Sequence, residues 1–283
     1  MVDVSTILCG VIGNPVAHSM SPAMHNAAFQ AVGLNYVYLA FKVEDVASAL
    51  RGVRGLGIRG LSVTIPHKLA VMDSLDHIDE TARQIGAVNT IINEQGRLVG
   101  TNTDGYGALL ALEQVEPVDG RRVVVLGVGG TARAIAFTFA RQRHPAHIVL
   151  VGRKPQKTAN LAAEVQESSS CPVSVSDFDP KRLKEEIAQA DIIINTTPIG
   201  MFPGTEESPV PEGVFVERHV VFDVIYNPRE TRMLRQAREK GARTINGVPM
   251  FVRQGAEQFR LWTGVEPPVE VMTQVVEEAL VAQ

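Results

Sequence analysis

The 283-residue chain holds only two cysteines, Cys9 and Cys171, far apart and in no metal-ligand or redox spacing. Such spacing excludes a disulfide framework and a cysteine-built zinc site, and it fits reduced thiols in a cytoplasmic protein. Charge of one sign is also lacking. With 27 basic against 31 acidic side chains and a net charge of -4, no global field attracts nucleic acid or an anionic membrane. Any anion must be held by a local cluster. No apolar run reaches the ~20 residues needed to span a bilayer. The N-terminal segment carries Asp3, no cationic leader, and a short apolar stretch that stops at Gly13-Asn14-Pro15, so no secretion signal is expected. Repeats and long low-complexity tracts are missing too. No metal is expected.

What is present is 45% hydrophobic residues over a length sufficient for two cores. Strand-like and helix-like segments alternate almost throughout, the pattern of parallel α/β construction. Residues 6–12, 36–41 and 60–64 read as strands. Ser21 reads as the cap of a first helix with Pro22 at its opening position. Residues 87–101 read as a hairpin turning at Asn93-Glu94-Gln95-Gly96. Asp104-Gly105 opens a helix over 106–114, a candidate connector between domains.

Two places carry chemistry. In Ser62-Val63-Thr64-Ile65-Pro66-His67-Lys68, strand-like residues run into a proline, and Pro66 is expected at the first position of a helix with Lys68 in its first turn. A cation is disfavoured at that positively charged helix end, and the same field favours the neutral amine that a general base needs. A plain surface lysine is the alternative. The second place starts with the apolar strand Arg122-Val123-Val124-Val125-Leu126. Gly127-Val128-Gly129-Gly130-Thr131-Ala132 follows and leads into a helix over 133–142. Strand, glycine turn and helix in that order form a phosphate cradle, because the glycines admit the pyrophosphate and the helix start offers free N–H groups. A second strand, 147–151, ends in Gly152-Arg153-Lys154-Pro155-Gln156-Lys157. Three cations and no carboxylate there suit a 2′-phosphate, hence NADP over NAD. Two further strands end at Asn195-Thr196-Thr197-Pro198 and Tyr226-Asn227-Pro228, the edge where open α/β sheets bind ligands. A helix over 249–262 sets Phe251, Gly255, Phe259 and Trp262 on one face and Gln254 off it.

Gly13-Asn14-Pro15-Val16-Ala17-His18-Ser19-Met20-Ser21-Pro22, Val63-Thr64-Ile65-Pro66-His67-Lys68, Gly86-Ala87-Val88-Asn89-Thr90, Asn102-Thr103-Asp104-Gly105, Asn195-Thr196-Thr197-Pro198 and Asn246-Gly247 together resemble the shikimate dehydrogenase family, in order along nearly the whole chain. The resemblance implies an N-terminal α/β substrate domain, residues 1–104 completed by helices 249–283, and a Rossmann-type doubly wound NADP domain over 105–248. It implies reversible reduction of 3-dehydroshikimate to shikimate with NADPH, on the route to chorismate and aromatic amino acids. Lys68 and Asp104 match the catalytic pair. Ser19 and Ser21 match the substrate carboxylate site, and Thr64, Asn89, Asp104, Tyr226 and Gln254 surround the ring hydroxyls. Gly127, Val128, Gly129, Gly130 and Thr131 match the pyrophosphate loop. Gly152, Arg153, Lys154 and Lys157 fall at the 2′-phosphate site, and Thr196, Val224 and Gly247 on the nicotinamide side. Relatives that prefer NADP read Asn-Arg-Thr where this chain has Gly152-Arg153-Lys154, so a cofactor hydrogen bond is expected to be missing. His18, His25 and His67 are assigned no catalytic role. Ser21 and Asp104 could equally serve only as helix caps. The rivals are a quinate/shikimate dehydrogenase using NAD, an S-adenosylmethionine methyltransferase, and a non-catalytic binding module. A homodimer is left open.

Overall fold

The computed structural model describes residues 2–281. Two compact units emerge, one formed by residues up to Thr103 together with those from Val252 onward, the other by Asp104–Phe251.

The first unit contains β1 (Ile7–Gly13), α1 (Ser21–Ala31), β2 (Tyr36–Lys42), α2 (Val46–Leu56), β3 (Gly60–Val63), β4 (His77–Ile78), α3 (Glu80–Ile85), β5 (Thr90–Glu94) and β6 (Arg97–Thr101). Its six-stranded sheet runs β2-β1-β3-β5-β6-β4, with β1, β2 and β3 parallel and β5 antiparallel to both its neighbours. Local chemistry sets the boundaries. Asp45 caps α2 by accepting from Ser48 N at 3.1 Å, and Gly57 ends it at φ 65°. Within α2, Leu50 and Val53 turn inward onto Ile12, Leu61, Val63 and Ile91. The expected hairpin forms as β5 and β6. Gln95 (φ 55°) and Gly96 (φ 94°) make its two-residue turn, and the Asn93 carboxamide accepts from Gly96 N at 2.7 Å.

The second unit contains α4 (Asp104–Glu113), β7 (Arg122–Leu126), α5 (Gly130–Gln142), β8 (His147–Val151), α6 (Pro155–Glu167), β9 (Val173–Ser176), α7 (Pro180–Gln189), β10 (Ile192–Asn195), β11 (Val220–Asp223), α8 (Arg232–Glu239) and β12 (Arg243–Ile245). Its sheet is wholly parallel in the order β12-β11-β10-β7-β8-β9. That is the doubly wound order, with its switch point between β7 and β10. The strands are near-continuous Val and Ile because both faces are covered, and Val124, Val149, Ile193 and Val221 are fully buried. Helix α9 (Gly247–Thr263) starts among the residues of this unit, and α10 (Val269–Val281) packs on α1 in the first. Trp262 lies over Gly60, and the Arg59 guanidinium donates to Trp262 O at 2.9 Å. Among the described residues no helix is long and apolar enough to cross a membrane.

Several local expectations are corrected. No helix starts at Pro66: residues 65–69 are turns, the Ile65–Pro66 peptide is cis, and the only helical turn nearby is a 3₁₀ segment, Ala70–Ser74. Two tertiary bonds divert the chain. Val88 N donates to Lys68 O at 2.8 Å, taking a carbonyl a helix would need, and the His67 ring is held on Val43 O at 2.9 Å. The helix-dipole argument for Lys68 therefore falls. Ser21 is not a cap: Met20 occupies that position, its carbonyl accepting from Met24 N at 3.1 Å, and Pro22 is consequently second in α1 rather than first. Asp104 is the first residue of α4, not one outside it. Helix α5 begins at Gly130 rather than Arg133, since Gly129 O already accepts from Arg133 N at 3.0 Å. Strand β11 stops two residues early because the Asp223 carboxylate accepts from Ile225 N at 3.1 Å.

Candidate active site

In the first unit, β1 and β3 end side by side, while β5 begins and β6 finishes at that same edge of the sheet. Three loops converge there: Asn14 to Met20 with Ser19, Thr64 to Lys68, and the paired segments holding Asn89 and Thr103. Backbone bonds stitch them together. Thr64 N donates to Ile12 O at 3.0 Å, Asn14 N to Ile65 O at 3.0 Å, Val63 N to Asn89 O at 2.7 Å, and Asn89 N to Thr101 O at 3.1 Å. The structure thus gathers Ser19, Ser21, Thr64, Lys68 and Asn89 at one sheet edge. Ser19 Oγ accepts from Ser21 N at 3.3 Å, which holds the Ser19 hydroxyl against the start of α1. Asn89 is buried: its Oδ1 accepts from Thr90 Oγ1 (2.7 Å) and Thr103 N (2.9 Å), and its Nδ2 donates to Thr103 Oγ1 (3.0 Å). Gln254 is half-buried on α9, one turn before Gln258, which reaches Asn89 O at 3.2 Å.

In the second unit, Gly127 follows β7 with φ 108°, a left-handed conformation that favours glycine. A side chain there would strike the Thr196 hydroxyl, which comes across the switch point to donate to Leu126 O at 2.7 Å. Val128 and Gly129 complete the turn, Gly129 caps α5 through its backbone, and Gly130 and Thr131 open the helix. The first amides of α5 thus stand at the crevice where such sheets take a pyrophosphate. Arg153, Lys154 and Lys157 are all exposed around the start of α6, Lys154 as its cap and Lys157 in its first turn. Helix ends of this sign repel cations, so the cluster fits an anion shared between them.

Gly152 has a physical reason of its own. A side chain at that position would run into the Thr158 hydroxyl, which donates to Lys154 O at 3.0 Å, and would sit 3.1 Å from Val128 Cγ1. The glycine admits Thr158 rather than merely losing a polar contact. At the far side, Gly247 N donates to Ile225 O at 2.9 Å, and a side chain at this position would strike the Val224 carbonyl. Tyr226 packs on Phe251, ring centroids 4.8 Å apart, and burial pushes its phenol pKa up.

Some residues that shape the site gave no clear sequence signal. The Asp223 carboxylate is fully buried, and among the described residues no cation is shown beside it. It accepts from Thr231 Oγ1 (2.7 Å), Asn195 Nδ2 (3.1 Å) and Ile225 N (3.1 Å), and burial raises its pKa to about 6. The available clue was positional: Asn195 and Asp223 each end an apolar parallel strand at the same register. Gln258, Ser62 and Tyr38, buried close to Asn89, likewise carry no local pattern that marks them.

A wholly parallel, doubly wound sheet with a glycine turn at its switch point makes this a two-unit α/β protein of the Rossmann dinucleotide-binding class. The comparisons with known proteins are more specific. Residues 11–91 match the shikimate dehydrogenase substrate binding domain, 109–232 match shikimate / quinate 5-dehydrogenase, and 247–277 match the shikimate 5'-dehydrogenase C-terminal domain. A shikimate dehydrogenase (NADP(+)) of Moorella thermoacetica is 46% identical over 99% of this chain and 95% of its own length. Among solved structures, a shikimate dehydrogenase in complex with NADP+ superposes with a TM-score of 0.92 at 43% identity, covering 99% of this chain and 98% of that one. The Thermus thermophilus shikimate 5-dehydrogenase in complex with NADP(H) and shikimate gives 0.88 at 36% identity, over 97% and 100%. The chain belongs to the shikimate dehydrogenase family.

Proposed function

We propose that the chain is an NADP-dependent shikimate dehydrogenase, reversibly reducing 3-dehydroshikimate to shikimate in the supply of chorismate for aromatic amino acids. The observation that carries this reading is the sheet edge that gathers Ser19, Ser21, Thr64, Lys68 and Asn89 in a chain 46% identical to an NADP(+) shikimate dehydrogenase along almost its full length.

In this reading most of the substrate contacts come from the first unit, with Asp104 and Tyr226 contributed by the second. The Ser19 and Ser21 hydroxyls take the carboxylate, and Thr64, Asn89, Asp104, Tyr226 and Gln254 the ring hydroxyls. NADPH supplies the hydride. Gly127 to Thr131 would hold its pyrophosphate, Arg153 with Lys154 and Lys157 its 2′-phosphate, and Thr196, Val224 and Gly247 the nicotinamide side. A ketone that accepts hydride becomes an alkoxide unless a proton reaches its oxygen in the same transition state. Lys68 Nζ delivers that proton, and Asp104 steadies the lysine. In the oxidative direction Lys68 takes the proton back. Cys9 and Cys171 are both buried as free thiols, which accords with cytoplasmic residence. Whether the enzyme works as a monomer or a homodimer is read by sedimentation.

The test is absorbance at 340 nm with shikimate or quinate and NADP or NAD in all four combinations. Turnover dominated by shikimate with NADP is expected. Turnover dominated by quinate or NAD would overturn the assignment.

A further inference from the structure

Beneath Asn89 lies a chain of buried hydrogen bonds whose direction is fixed. Tyr38 OH contacts Ser62 Oγ at 2.6 Å, Ser62 Oγ contacts Gln258 Oε1 at 2.7 Å, Gln258 Nε2 contacts Thr90 Oγ1 at 2.9 Å, and Thr90 Oγ1 contacts Asn89 Oδ1 at 2.7 Å. All five side chains are buried.

The polarity follows from two groups that have no choice. Gln258 also reaches the main-chain carbonyl of Asn89 at 3.2 Å, and a carbonyl only accepts. The Gln258 atom facing it is therefore the nitrogen, and the oxygen points at Ser62. Ser62 must then donate to Gln258, and its own oxygen accepts from Tyr38. On the other side, the second Gln258 N–H enters the Thr90 oxygen, so the single Thr90 proton goes to the nearer acceptor, Asn89 at 2.7 Å, rather than to Thr103 Oγ1 at 3.4 Å. The Thr103 amide, which only donates, lies 2.9 Å from that same Asn89 oxygen. Both ends of the argument make it Oδ1. Reversing any link would set two acceptors or two donors against each other in a buried site, where unmet polar groups are strongly disfavoured.

We infer that Gln258 and Thr90, acting together with the Thr103 amide, are positioning residues that hold the Asn89 carboxamide in one of its two orientations, so that Asn89 meets the substrate with its amide N–H as donor to a ring oxygen. The inference rests on the proposed reading of Asn89 as a substrate contact. It assigns a role to the face of α9 that the Gln254 match does not reach, and it makes the substrate pocket selective for an acceptor at that point. With the Thr90 hydroxyl removed, only the Thr103 amide would oppose a flipped carboxamide, and the carbonyl would then face the substrate more often.

The experiment compares Thr90→Val, which keeps shape and removes the proton, with Thr90→Ser, which keeps the proton. Gln258→Met serves as an independent second break. Shikimate kcat/KM is expected to fall ~10- to 100-fold in Thr90→Val and in Gln258→Met, the scale of one buried polar contact. The KM for NADP should stay within about twofold, and Thr90→Ser should recover most of the loss. NADPH binding measured by fluorescence checks that each variant is folded. The inference is overturned if Thr90→Val and Thr90→Ser behave alike, if Gln258→Met leaves shikimate kcat/KM unchanged, or if both KM values rise together. Failure of the underlying assignment is distinguishable, since the unmodified enzyme would then not turn over shikimate with NADP at all.

Discussion

The Asn195 carboxamide donates to the buried Asp223 carboxylate at 3.1 Å, tying the loop after β10 to the loop after β11. Asn195 Oδ1 meanwhile accepts from Thr197 N at 2.9 Å, and Asp223 accepts from Ile225 N at 3.1 Å, so one pair shapes the segments carrying both Thr196 and Val224. The native pKa of Asp223, about 6, exceeds its ordinary 3.8. The folded chain therefore holds this proton more tightly than the unfolded one. The stability it contributes is full below about 4 and is lost as pH rises through about 6. Asp223→Asn carries no such titration. Its melting temperature relative to the unmodified protein should rise between pH 4 and pH 6.5, and a constant difference across that window would refute the buried charge.

Lys68→Ala should lower kcat by ~10²-fold or more, the usual worth of a general acid, with a smaller change in the KM for shikimate. Steady-state kinetics in the oxidative direction reads both. A kcat near that of the unmodified enzyme would remove Lys68 from the chemistry.

Arg153→Ala should raise the KM for NADPH ~10- to 100-fold through loss of charge-assisted bonds to the 2′-phosphate, and leave the KM for NADH nearly unchanged. An equal effect on both cofactors would mean that Arg153 acts through something other than that phosphate.

Gly152→Ala should destabilise the protein by ~1–3 kcal/mol, because the added methyl overlaps the Thr158 hydroxyl. Combining it with Thr158→Ala should return part of the loss, a coupling that a double-mutant cycle in urea measures. Strictly additive effects would show that the two side chains do not compete for space.

His25 is fully buried, stacked on Tyr38 with centroids 4.5 Å apart and 5.3 Å from Trp262, and burial lowers its pKa from 6.5 to about 3. Its stabilisation is therefore complete above about 6.5 and is lost as pH falls toward 3. Between pH 7 and pH 5 the loss comes to about 2 kcal/mol, since the unfolded imidazole gains a proton that the folded one refuses. His25→Phe should flatten this part of the acid limb in urea denaturation. An identical slope in both proteins would place the acid sensitivity elsewhere.

The sequence made much of this legible because local chemistry and tertiary structure agreed. Valine-rich β7 running into Gly127 and Gly129 can be little else than a buried strand feeding a phosphate turn, and the Gln95-Gly96 turn dictates its own hairpin. Legibility failed where a distant partner decided the outcome. Pro66 looked like a helix start, yet Val88, twenty-two residues on, claims the Lys68 carbonyl. Ser21 had the composition of a cap, but Met20 supplied the carbonyl that begins α1. Gln258 and Asp223 were silent for a related reason: a polar residue on a buried face announces itself only when its partners, brought from strands far along the chain, are known.

The packing of Trp262 over Gly60 and of α10 on α1 also sets an order of events during synthesis. Strands β1 to β6 leave the ribosome long before the residues that cover them, and every residue from Asp104 to Phe251 must emerge in between. The nascent first unit thus waits with an apolar face uncovered while the second, contiguous in the chain, has all its parts. A chaperone, or a ribosome stalled near the C-terminus, would find the first unit unfinished and the second already complete.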